Sequence, residues 1–102
     1  MKAYKRATRV AELIQKNIAE ILRDIKELTG LVTVTSVRLT DDLQTCRIFY
    51  SVIGSDNDKK NAEKVLNEQL KQIRYALAQN MELRRTPTID FKYEDRKSTR
   101  LN

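Results

Sequence analysis

The sequence has no histidine and no tryptophan, and only one cysteine, one proline and two glycines in 102 residues. Each scarcity closes off a class of chemistry. Without histidine the chain lacks the commonest general base and metal ligand. Cys46 alone makes neither a thiol dyad nor a zinc site, and it has no partner for an internal disulfide, which fits a reducing compartment. Gly30 and Gly54 stand too far apart to form a glycine-rich phosphate loop. The acidic pair Asp41–Asp42 falls where a turn is expected and reads as a solvated turn former, not a metal site. No apolar run approaches the ~20 residues of a membrane span, and no signal-peptide segment follows the basic start. These absences argue against an enzyme. They predict a cytoplasmic monomer with no cofactor, no metal, no small-molecule substrate and no membrane contact.

What the sequence does contain is charge. Lysine and arginine number 20 against 14 acids, a net charge of +6. With 40% hydrophobic residues this describes one globular domain with a modest core and a heavily charged surface. The charge is uneven. Lys2, Lys5, Arg6 and Arg9 share the first nine residues with no acid, and Arg96, Lys97 and Arg100 form a second basic stretch. Acids gather at Asp41, Asp42, Asp56, Asp58, Asp90, Glu94 and Asp95. Segregation of this kind is the electrostatic footprint expected of a nucleic-acid binder.

The hydrophobic pattern supplies a frame. Val10, Ile14, Ile18, Ile21, Leu22 and Ile25 recur at three- and four-residue steps, predicting an amphipathic helix over 5–28 with Gly30 as its stop. Lys2, Arg9, Lys16 and Arg23 fall roughly opposite. Cations near a helix N-terminus cost ~0.3 to 1 kcal/mol each, so something other than helix stability favours them. "LVTVTSVRLT" (31–40) and "TCRIFYSVI" (45–53) read as strands joined by "DDLQ" into an antiparallel hairpin, with a bulge between Val34 and Val37. Ser55 or Asp56 can cap the next helix, with Asp58 three residues after Ser55 like a capping-box partner, and helical spacing then runs to residue 81, as one helix or two. "PTIDFKY" is a third strand. Residues 1–95 thus form one α+β domain, with helices on one face of a three-stranded sheet, and 96–102 a flexible basic tail.

"RVAELIQKNIAEIL", "GLVTVTSVRLTDDLQ", "SVIG" and "IRYAL…LRRTPTIDF", in this order and spacing, closely resemble the ribosome-binding factor A family over residues 5 to 94. The resemblance implies a KH-like fold of type II order, α-β-β-α-α-β. It also implies binding to small-subunit ribosomal RNA and to free small ribosomal subunits during late maturation, needed most in the cold. One departure concerns the clamp. RNA-reading KH domains carry a Gly-x-x-Gly loop. The family usually has alanine, any residue and glycine there instead, and here the matching positions are Gln69, Leu70 and Lys71.

The candidate RNA-binding residues are Lys5, Arg6, Arg9, Lys16, Lys71, Arg74, Arg84 and Arg85. Arg84 and Arg85 are either a solvated pair or a phosphate-facing fork, and the resemblance favours the fork. Arg74 either lies over the core or contacts RNA. Lys71 can reach phosphate where the family offers bare backbone. Arg47 and Phe49 share the outer face of the second strand, where an arginine beside an exposed aromatic could stack on a base; a packing helix over Phe49 accounts for it as well and is the preferred reading.

Overall fold

The computed structural model describes the backbone of residues 2–94 and the side chains of residues 6–94. The expected tail at 96–102, and the boundary at 95, lie outside the described residues. The order is α1 (Lys2–Arg23), β1 (Leu31–Leu39), β2 (Thr45–Ile53), α2 (Asp56–Glu68), α3 (Leu70–Met81) and β3 (Thr88–Tyr93). β2 is central. It pairs antiparallel with β1 through the short 40–44 turn and parallel with β3 through the α2–α3 crossover. A parallel pair needs such a long return.

Strand alternation sets the layers. Cys46, Ile48, Tyr50 and Val52 are all buried on one face of β2 and meet Ile14, Ile18 and Leu22 of α1, Leu66 of α2, and Ile73 and Leu77 of α3. The register of β1 shifts between Val34 and Ser36, which places the expected bulge and lets both Val34 and Val37 reach the core. Burial pushes the Cys46 thiol up to about 11, so it is a small apolar filler.

Two expectations are corrected. The first helix ends at Arg23, not at residue 28. Asp24 and Ile25 donate instead to the carbonyls of Ile21 and Leu22, a tightened last turn, and the chain then folds back so that Ile25 and Leu28 still reach the core. Their apolar spacing mimics a helix because both bury. Gly30 is therefore not the helix stop. A Cβ there would stand 2.9 Å from side-chain atoms of Val52 and Asp58, so the close approach of β2 and α2 explains the glycine.

The expected capping box is present. Ser55 Oγ accepts from the Asp58 N–H and Asp58 Oδ2 accepts from the Ser55 N–H. The Thr29 hydroxyl also donates to Asp58 at 2.6 Å, tying the entry of β1 to α2. The Thr29 bond, then the Ser55 amide, hold this carboxyl below its ordinary value of 3.8. A depressed folded value means that its stabilisation is present above pH 3.8 and is lost as pH falls through the folded value. Thermal melts between pH 5 and pH 2 should therefore show a shallower acid loss for Asp58→Asn than for the parent chain. Parallel profiles would deny Asp58 this role.

Candidate nucleic-acid interface

The basic residues of α1 owe their position to the helix period. Ala7, Ile14, Ile18 and Leu22 anchor one side in the core. Arg9 and Lys16 lie on the far side and Arg6 on a flank, all three exposed. Lys5 is on the first turn, which contains no acid. The N-terminal half of α1 stands over the end of the sheet that holds the β1–β2 turn: Ala7, Ala11 and Glu12 line a cleft with Val37, Leu39 and Asp41.

Arg84 and Arg85 reach the same end of the sheet by another route. α3 terminates at Glu82 in the left-handed conformation (φ 53), and the Leu83 N–H returns to the Ala78 carbonyl. At the other side of the loop the Thr88 N–H donates to the Gln44 carbonyl, stitching the start of β3 to the β1–β2 turn. Arg74 closes the loop from within. Its guanidinium donates to the carbonyls of Thr86 (3.0 Å) and Pro87 (3.2 Å) and is half-buried. This geometry gives Arg74 a structural role in the loop that neither reading from the sequence names. It holds the segment that presents Arg84 and Arg85, and both of those are exposed.

The electrostatics turn on who is paired with whom. Among the described residues the ion pairs are Arg47–Asp90 and Lys59–Asp56, and neither involves a candidate. Several acids are instead satisfied by neutral donors. Asp42 accepts from the Thr40 hydroxyl and the Gln44 N–H, Glu27 from the Gln69 amide, and Glu94 from the Thr35 hydroxyl. Those contacts hold the Asp42 and Glu27 carboxyls below their usual range. Arg6, Arg9, Lys16, Lys71, Arg84 and Arg85 are thus exposed cations outside any ion pair among the described residues.

The candidates do not form one cluster. Lys71 sits in the first turn of α3, where α3 begins beside the last turns of α1, about 15 Å along the helix from the C-terminal end that leads to Arg84. The chain does break there. Gln69 ends α2 and opens α3 with φ −102 and ψ 16, while Gln69 N–H bonds the Val65 carbonyl and its own carbonyl takes the Ile73 N–H. No small residue is needed, because Gln69 leaves helical geometry alone and its side chain is tied to Glu27. Two residues of interest escaped the sequence reading. Tyr75, 69% exposed, lies one turn beyond Lys71 on the outer face of α3. Arg38 is exposed beside Arg47 at the turn end of the hairpin, and its place in "SVRL", between two core-facing residues, was the signal. No helix of the described residues is long and apolar enough to cross a membrane.

Comparison with known proteins gives the family and the fold. The family model for ribosome-binding factor A matches residues 6–101. Ribosome-binding factor A of Trichlorobacter lovleyi is 43% identical over 93 residues, spanning 89% of this chain and 76% of that protein. The crystal structure of ribosome-binding factor A from Thermus thermophilus has the same fold, with a TM-score of 0.72 at 21% identity over 85% of this chain and 94% of that one. A Thermus thermophilus homology model fitted into a cryo-EM map of a 30S complex gives a TM-score of 0.72 at 22% identity, covering 82% of this chain and 90% of that one.

Proposed function

Because the chain belongs to the ribosome-binding factor A family, non-enzymatic factors of small-subunit maturation, we propose that it docks in the cytoplasm on ribosomal RNA of the immature 30S subunit. The docking surface is the end of the molecule formed by the start of α1 and the Arg84–Arg85 loop, with Lys16 and Lys71 extending it along the helix layer. The observation that carries this reading is the set of exposed cations outside ion pairs among the described residues, with the nearby Asp42 carboxylate held by the Thr40 hydroxyl. Such cations meet phosphate without first breaking an internal pair. Recognition is by backbone charge and shape, with little reading of bases. The factor holds one RNA conformation and departs when the mature subunit no longer offers it.

Sedimentation with immature and mature small subunits, at two salt concentrations, tests this. The chain should pellet with immature subunits at low salt, less at high salt, and weakly with mature ones. Equal, salt-insensitive pelleting with both would contradict the proposal.

A further inference from the structure

All the helix residues of the core cluster meet the Cys46–Val52 face of β2, so the helices cover only one side of the sheet. This overturns the expectation that a helix covers Phe49. Its ring lies on the opposite side, at the middle of the central strand, between Ser36 of β1 and Lys92 of β3. It is only half-buried and is not part of the core cluster. The neighbouring Ser36 and Ser51 are too small to shield it. Arg47 precedes it on the same face, fixed by Asp90 at 3.2 Å, and Arg38 stands across from Arg47. Arg38 and Lys92 are exposed and in no ion pair among the described residues.

An aromatic ring at the centre of an uncovered sheet, with cations on either side, has the elements of a stacking platform. Every base has a π-face for the ring, and the cations take the adjoining phosphates. Leu31 and Ile53, exposed at the far end of the hairpin, would suit a protein partner, but Arg38, Arg47, Lys92 and hydroxyls stand nearer the ring, and the two acids of this face among the described residues are already engaged, Asp90 by Arg47 and Glu94 by the Thr35 hydroxyl. We propose that the uncovered sheet face is a second nucleic-acid surface, stacking one base of a single-stranded RNA segment on Phe49 with its flanking phosphates on Arg38 and Lys92. It meets the α1 surface only at Arg38, which also lines the cleft under the start of α1; Phe49 and Lys92 belong to the sheet face alone, so loss of Arg84 and Arg85 leaves them in place.

The test is a titration of the full chain with hexauridylate, followed by backbone-amide NMR and by affinity. Amides of Ser36, Phe49, Ser51 and Lys92 should shift. Phe49→Leu keeps apolar bulk but removes the ring, and should bind about tenfold more weakly with an unchanged melting temperature. Phe49→Tyr should restore binding, and Arg84→Ala with Arg85→Ala should leave the sheet-face shifts in place. Any of three results overturns the proposal: no binding, shifts confined to α1 and 82–87, or parental affinity in Phe49→Leu. Shifts on this face produced by a small-subunit protein and not by RNA would also assign it elsewhere.

Discussion

Replacing both Arg84 and Arg85 by alanine is expected to flatten the salt dependence of binding to immature small subunits. The log–log slope should shrink by about 1.4 to 1.8, two phosphate contacts at roughly 0.7 to 0.9 each. The fold should survive, because both side chains are exposed and neither leaves a carboxylate orphaned among the described residues. Arg74→Ala should behave differently. It removes the fork that holds the Thr86 and Pro87 carbonyls, so affinity falls while the two cations, and most of the slope, remain. Arg74→Lys should not rescue it, since a lone ammonium does not reproduce a planar two-donor grip. An unchanged slope in the double variant would remove Arg84 and Arg85 from the interface.

Ile18→Ala is expected to have the largest effect on stability. Ile18 has no exposed surface and belongs to the cluster that joins α1 to α3 and the sheet. Emptying that position costs about 2 to 5 kcal/mol. In a domain of this size that lowers the melting temperature by roughly 10 to 30 °C. The effect on function should follow the melt. Binding measured well below the new midpoint should match the parent, because the basic side of α1 is untouched, and it should vanish above it. A loss below about 1 kcal/mol would mean that α1 is not anchored as described.

The fold was legible where burial and local chemistry agree. The Cys46–Val52 alternation, the Ser55–Asp58 box and the shift of phase in β1 each have a short-range cause, and each is found where the pattern placed it. The end of α1 was not legible. Ile25 and Leu28 are apolar for the same reason whether they continue a helix or fold back on the core. The break at Gln69 is hidden in the sequence for a related reason. One residue outside helical geometry barely disturbs an apolar period, and its tie to Glu27 joins positions 42 residues apart.

The site was legible in composition more than in role. Clustered cations mark a surface, but only tertiary contacts separate Arg74, which holds a loop, from Arg84 and Arg85, which the loop displays. The uncovered position of Phe49 likewise depended on which sheet face the helices took, and strand alternation alone is symmetric on that point.

Ultraviolet crosslinking of the chain to RNA in immature small subunits, with the crosslinked peptides identified, tests the central claim most directly. The account predicts crosslinks from α1 between Arg6 and Lys16 and from residues 82–87. Crosslinks confined to residues 24–30 and the start of α2, where Asp24, Glu27, Asp56 and Asp58 gather, would contradict it.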